Sequence, residues 1–86
     1  MSIDSAILII KTVTGIDFKF GVKQIQAIDQ VVGNAELMMD IYNSSEKCAT
    51  LAEAQTIAQE LEDNHLREYG IHPEYGIIVK ELHLNG

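Results

Sequence analysis

The sequence predicts an α+β domain in which an antiparallel sheet of four to five strands packs against one long amphipathic helix. Two observations predict it. Apolar and polar residues alternate along much of the first half of the chain, and apolar residues recur at three- and four-residue steps after residue 50. The predicted order is β-β-β-β-α-β, with the helix across one face of the sheet. The length of 86 residues suits a single domain, residues 1–86, and the order of the strands in the sheet stays open.

A first hairpin is predicted between residues 6 and 20. Residues 6–13 (AILIIKTV) are rich in β-branched side chains, which favour strands. Thr14 and Gly15 can turn the chain, and residues 16–20 then alternate between apolar and charged side chains. Gly21 is expected to end the second strand, because glycine weakens a strand interior.

A second hairpin is predicted between residues 24 and 42. Residues 24–32 form its first predicted strand, and Gly33 and Asn34 form a turn because both tolerate positive φ. Residues 36–42 alternate again and form the second predicted strand. The side chains of this strand that are expected to face the core are Leu37, Met39 and Ile41.

The amphipathic helix follows a polar loop at residues 43–47. Thr50 and Glu53 fit a capping box, in which the Thr50 hydroxyl accepts from the Glu53 amide and the Glu53 carboxylate reaches back to the Thr50 amide. The apolar stripe that follows has helical spacing. Its members are Leu51, Ala54, Ile57, Ala58, Leu61, His65 and Tyr69.

The doubled tetrapeptide in EYGIHPEYGI, residues 68–77, separates this helix from a last strand. Gly70 is placed to end the helix in the left-handed conformation, and Pro73 prevents its continuation. Residues 77–84 are again rich in Ile, Val and Leu and predict the final strand. The repeat is therefore predicted to be structural: its first copy ends a helix and its second copy leads into a strand.

The first and last strands carry apolar side chains on both faces, which one helix cannot cover. In the first strand Ile7 and Ile9 oppose Leu8 and Ile10, and residues 77–84 show a similar opposition. Soluble monomers rarely expose large contiguous apolar patches. The sequence therefore predicts a homo-oligomer, most simply a dimer, or a partner protein on the second face. The alternative is that these strands are central and that the N-terminal segment folds over them.

Charge and composition limit the classes of function. The net charge is −7, and residues 50–76 hold six acids and one base, so nucleic acid is an unfavourable partner and a basic protein surface a favourable one. The longest uninterrupted apolar run, residues 6–10, is far shorter than the roughly 20 residues of a membrane-spanning helix. A single cysteine and the lack of a signal-peptide pattern favour a cytoplasmic location without membrane attachment.

The residues that could carry chemistry form no catalytic pattern, so no cofactor and no metal is expected. His65, His72 and His83 do not have a metal-ligand spacing. Cys48 lies two residues before the helix, where the pKa of a thiol can be lowered, but no base is identifiable beside it. His65 lies within the apolar stripe and is expected to be a core or edge histidine bonded to backbone.

The candidate binding residues lie on the charged face of the helix and on the loop that follows it. The helical face opposite the apolar stripe is acidic and suits a lysine- or arginine-rich partner; the alternative is an ordinary solvated face. Asp63 and Arg67, four residues apart, are expected to form a weak ion pair. The candidate partner-binding residues are Glu53, Glu60, Asp63, Arg67, His72 and Tyr75.

These observations favour a small acidic, non-enzymatic protein-interaction module: an inhibitor, adaptor or regulator, as in accessory proteins of phages and mobile elements. It would bind a partner through the acidic helix face or through the uncovered sheet face. One alternative is a small-molecule-binding or enzymatic domain with a site at a dimer interface, built from His65, Tyr69, His72 or Tyr75. Another is a structural subunit of a larger assembly.

Overall fold

The computed structural model, which describes residues 5–84, contains a four-stranded sheet between two helical layers. The α+β class, the four-stranded sheet and the long helix are confirmed, but the element order is β-β-α-α-β-α-β. The elements are β1 (Ala6–Thr14), β2 (Asp17–Ile25), α1 (Ile28–Val31), α2 (Ala35–Ser44), β3 (Glu46–Cys48), α3 (Leu51–Tyr69) and β4 (Ile77–His83).

The sheet is mixed because of the path that the chain takes between β3 and β4. The strand order is β3-β2-β1-β4; β2 pairs antiparallel with both β1 and β3, whereas β4 pairs parallel with β1. β3 therefore runs in the direction of β1, and α3 carries the chain back before β4 begins. β4 then repeats the direction of β1, so the prediction of a purely antiparallel sheet is wrong.

The first hairpin is confirmed and is longer than predicted. Ala6 pairs with Ile25 at its open end, and Thr14 pairs with Asp17 at its closed end. Gly15 has a φ of 62° and supplies the left-handed residue of the turn. The second strand thus continues well beyond the residue at which the sequence predicted its end.

Gly21 continues β2 because another element packs directly on it. A Cβ atom at Gly21 would lie 2.7 Å from Cδ1 of Tyr42, and it would also collide with Oγ of Ser45. Tyr42 belongs to α2, and Ser45 follows that helix immediately. The missing side chain is therefore a packing requirement, and the prediction that Gly21 breaks the strand is wrong.

The second predicted hairpin is also wrong, because residues 28–44 form α1 and α2. The Asn34 side chain accepts a hydrogen bond from the Leu37 amide (3.1 Å), and this N-cap begins α2. The buried side chains of α2 are Met38 and Tyr42, which lie four residues apart, whereas Leu37 is exposed. The segment therefore has a helical period that its alternating apolar residues conceal.

Together, α1 and α2 cover the sheet face that the sequence left uncovered. Residues 6–10 of the central strand β1 have no exposed surface. The buried cluster on this face consists of Ala6, Leu8, Ile10, Ile25, Ile28, Val31, Met38, Tyr42 and Leu82. The prediction of an uncovered sheet face is therefore wrong for β1, since the chain itself supplies the cover. The homodimer stays a prediction that has lost this support.

The opposite face of the sheet is covered by α3, whose position and ends are confirmed. The Glu53 amide donates to Thr50 Oγ1 (3.2 Å), although the Glu53 carboxylate accepts from the Thr50 hydroxyl (3.1 Å) rather than from its amide. Gly70 ends the helix in the left-handed conformation with a φ of 75°. The buried cluster beneath α3 consists of Ile7, Ile9, Phe20, Val22, Ala54 and Ala58.

The last predicted strand is confirmed as β4, which lies at one edge of the sheet. Leu82 points toward the α1–α2 layer and is buried. On the side of α3, Ile77 and Val79 are 36% and 47% exposed. The apolar surplus predicted for this strand therefore persists on the side that faces α3.

Candidate protein-binding surface

The outward side of α3, which we call the acidic face, holds three of the predicted binding residues: Glu60, Asp63 and Arg67. All three are exposed. The whole helix contains five acids and one base, a net charge of −4 against −7 for the chain. More than half of the net charge therefore lies on 19 of the 86 residues. Because Ala54 and Ala58 are fully buried against the sheet, the acidic face is presented from a fixed position.

Hydrogen bonds on the acidic face organise its carboxylates. Gln59 Nε2 donates to Glu62 Oε1 (3.2 Å) and to Asp63 Oδ1 (3.1 Å). The predicted Asp63–Arg67 ion pair is not formed; among residues 5–84 the close contact between a carboxylate and a basic side chain is that of Glu81 Oε1 with His83 Nε2, at 3.2 Å. Arg67 instead borders a shallow open depression with Asn64 and Glu68.

Glu53 belongs to the N-terminus of α3 rather than to the middle of its acidic face. Its amide and its carboxylate both bond to the Thr50 side chain. It is exposed and lies two helical turns before Glu60, so it extends the acidic face toward β3. Its first role is therefore structural, and a substitution there would change the cap as well as the surface.

The other two predicted binding residues, His72 and Tyr75, lie on the loop between α3 and β4, and both are exposed. The backbone of this loop is tied to the start of β1. The Tyr75 amide donates to the Ser5 carbonyl (3.0 Å), and the Glu74 amide donates to Ser5 Oγ (3.2 Å). The loop therefore presents these two side chains beside the start of β4.

His65 is a structural histidine, as the sequence predicts. It is buried, and its Nδ1 lies 2.8 Å from the Ile71 carbonyl oxygen. A carbonyl only accepts, so Nδ1 carries the proton and donates. The ring of Tyr69 lies 4.7 Å from that of His65, centroid to centroid. Together these contacts hold the loop against the end of α3.

The four residues of the small-molecule alternative are thus not gathered into one site within the chain. His65 points inward, whereas Tyr69, His72 and Tyr75 are exposed. Two of them, His65 and Tyr69, are in ring contact. A shared site at a dimer interface stays a prediction.

The Cys48 thiol is not activated by its position before α3. Burial raises the pKa of this thiol, and the nearby carboxylates of Glu53 and Glu46 raise its pKa further. The sequence-based suggestion of a lowered pKa is therefore wrong, because burial and the two nearby carboxylates all disfavour the thiolate. Within residues 5–84 no three or more His, Cys, Asp or Glu side chains are grouped so that they could hold a metal ion. None of the helices in this range is both long and apolar enough to span a membrane.

The outer edge of β4 is a candidate surface that sequence reasoning missed. It combines backbone groups that pair with no strand among residues 5–84 and the exposed side chains of Ile77 and Val79. The sequence contained a signal for it: residues 77–84 form a strand with neither proline nor glycine, the residues that commonly interrupt pairing. Which edge of the strand is open depends on the strand order, which the sequence leaves open.

Comparisons of the chain with protein-family models, with curated proteins and with solved structures find no match.

Proposed function

We propose that this protein is a non-enzymatic protein-interaction module that binds a partner with a basic surface through the acidic face of α3. The observation that supports this proposal is the concentration of charge: α3 has a net charge of −4, and its outward acidic side chains are exposed. A protein surface rich in lysine and arginine is the complementary partner. The phosphates of nucleic acid would be repelled.

The physical effect expected from such a surface is mainly on the rate and specificity of association. Individual exposed ion pairs contribute only about 0–1 kcal/mol each, so affinity would come from several pairs and from contacts around them. Clustered charges of one sign accelerate encounter with an oppositely charged surface, and added salt removes that acceleration. The proposed complex should therefore form quickly at low ionic strength and weaken as the salt concentration rises.

The proposal can be tested by affinity purification from the native host at low and high ionic strength. The test variant is Glu60→Lys combined with Asp63→Lys, both on the acidic face. The matched control is Asp17→Lys combined with Asp40→Lys, which changes the net charge equally at two exposed positions outside α3. The expected result is a partner that wild type and control retain at low salt, that the test variant loses, and that high salt releases.

Two results would contradict the proposal. If both double variants lose the partner equally, net charge rather than the acidic face governs binding. If binding is indifferent to salt and to the Glu60 and Asp63 substitutions, α3 is an ordinary solvated helix. Circular dichroism of each variant establishes that the fold is intact before either result is interpreted.

A further inference from the structure

The two edges of the sheet differ in their capacity to accept another strand. The β3 edge consists of three residues, of which Glu46 and Lys47 are charged and exposed. Short, charged edges of this kind resist pairing. The β4 edge is seven residues long and is the terminal strand of the sheet within residues 5–84. Of the two edges, β4 is therefore the one suited to strand addition.

The hydrogen bonds between β1 and β4 show which backbone groups of β4 point outward. The Ile7 amide donates to the Gly76 carbonyl, and the Leu84 amide donates to the Val13 carbonyl. In both bonds the distance from nitrogen to oxygen is 2.8 Å. Even-numbered residues of this segment therefore bond to β1, because successive residues of a strand direct their amides and carbonyls to opposite sides. The outward amides and carbonyls belong to Ile77, Val79, Glu81 and His83.

The side chains of these same four residues lie on the sheet face that α3 covers, because their partners on β1 include Ile7 and Ile9. Ile77 and Val79 offer partly exposed apolar surface, and Glu81 offers an exposed carboxylate. At the start of β4, Glu62 of α3 approaches the strand, with Oε2 3.8 Å from where a Cβ of Gly76 would lie. An added strand would therefore meet apolar surface bordered by carboxylates.

We propose that the outer edge of β4 accepts an extended, basic and apolar segment of a partner protein by β-addition. This inference rests on the proposed function in one respect: it takes the chain to be a binder of proteins. Backbone bonds to the four outward residues provide the attachment, and alternate side chains provide selectivity. A basic side chain of the partner faces Glu81, and apolar side chains face Val79 and Ile77.

In an antiparallel addition this arrangement defines a sequence pattern. The partner strand runs from Glu81 toward Ile77, so its residues on the α3 side are basic, apolar and apolar at alternate positions. The partner residues between these positions have their side chains on the opposite sheet face, beside Lys80 and Ile78. The partner residue opposite Lys80 meets an exposed ammonium group, so threonine or an acid is suitable there. A peptide that carries Lys-Thr-Val-Thr-Val at its centre satisfies this pattern.

A second copy of the chain fits the edge less well than such a segment. Two copies would each bring a net charge of −7, and their mutual repulsion opposes association. Full antiparallel overlap of two β4 strands would also place Lys80 directly opposite the Lys80 of the other copy. Like charges at directly opposed positions destabilise strand pairing. Charge complementarity therefore favours a basic partner segment over self-pairing.

The test is a titration of isotope-labelled protein with a capped peptide containing Lys-Thr-Val-Thr-Val, followed by amide NMR. The expected result is that the amide signals of Ile77, Val79 and Glu81 shift on binding and exchange more slowly with solvent. The inward amides of Ile78 and Lys80 are already bonded to β1 and should be protected before the peptide is added. A control peptide with glutamate in place of lysine should bind more weakly.

A single substitution separates backbone pairing from side-chain contact. Val79→Pro removes an outward amide without removing a bond to β1, since proline is tolerated on an edge strand when its nitrogen faces outward. It should weaken peptide binding by at least about tenfold. Val79→Thr keeps the amide and a β-branched side chain, so it should bind like wild type. Protection of the Ile78 and Lys80 amides in the proline variant shows that β4 is intact.

Three results would overturn the proposal. The first is that the outward amides do not respond to the peptide, and the second is that they are already protected in the free protein. The third is that they respond to protein concentration alone, which would indicate a second copy. A failure of β-addition at the β4 edge can be distinguished from a failure of partner binding through the acidic face. The variants of Glu60 and Asp63 leave the β4 edge unaltered, and Val79→Pro leaves the acidic face unaltered.

Discussion

The two helical layers pack on opposite faces of the same central strand, β2, with opposite combinations of large and small side chains. In the α3 layer the helix contributes Ala54 and Ala58, and the strand beneath contributes Phe20 and Val22. In the other layer the helix contributes Tyr42, and the strand contributes Gly21. Each layer fills its space because a large group on one side meets a small group on the other.

This difference has consequences for what each layer can tolerate. The α3 helix is 19 residues long, is capped at both ends and carries its charge on the outward side. The α2 helix has ten residues and meets β2 at a position where no side chain fits. The α3 layer can therefore change its surface with little effect on packing, which suits a binding face. The α2 layer is restricted by its close contact with the sheet.

The largest expected effect comes from truncating the α2 core. Met38→Ala should lower the free energy of unfolding by about 2–5 kcal/mol, because Met38 is buried against the sheet. Leu37→Ala should change it by less than about 0.5 kcal/mol, because Leu37 is exposed. Urea denaturation measures both. The opposite ranking would indicate that residues 36–42 form the strand that their alternation suggests.

A smaller effect is expected from adding one methyl group at Gly21. Gly21→Ala should destabilise the fold by about 1–3 kcal/mol, since the new Cβ would collide with Tyr42 and Ser45. The control is Gly33→Ala, where nothing lies within 4 Å and about 1 kcal/mol is expected from its φ of 89° alone.

A double-mutant cycle with Tyr42→Ala distinguishes the two causes of destabilisation at Gly21 and Gly33. Removing the Tyr42 ring should relieve part of the Gly21→Ala penalty, because it removes one of the colliding groups. The Gly33→Ala penalty should not change, since its cause is the backbone conformation. Additive free energies at Gly21 would contradict direct packing of α2 on this glycine.

The smallest effect is expected in the α3 layer, at Cys48. Its raised pKa leaves less thiolate at about pH 8, so iodoacetamide should react more slowly with the folded protein than with the same protein in urea. The midpoint of the rate against pH should lie above that of the unfolded thiol. Glu53→Gln should lower this midpoint, because it removes a nearby carboxylate while a capping box still accepts glutamine. A folded midpoint below the unfolded one would contradict the assignment.

Sequence reasoning succeeded where the determinants of structure are close together in the chain. Thr50 and Glu53 begin α3 and Gly70 ends it, and each acts on residues within a few positions. The residues of the acidic face were likewise predictable, because helical spacing alone puts Glu60, Asp63 and Arg67 on one side.

The same reasoning failed for α2, although a local signal was present. Asn34 followed by residues of high helix propensity, with Glu36 in the first turn, is typical of a helix start. The alternation of apolar residues in the segment satisfied a strand as well. The choice between the two periods depended on which side chains the sheet would bury, and that is not a local property.

By itself, the sequence determined the first hairpin, α3 with its two caps, the last strand, and the need to cover both faces of β1. These features follow from short-range propensity and from the free energy of burying apolar side chains. Only the tertiary structure decided that residues 28–44 supply the second cover, that Gly21 is a packing contact, and that β4 lies parallel to β1 at one edge of the sheet. Each of these depends on contacts between residues distant in the chain, which the spacing of residues along the sequence does not specify.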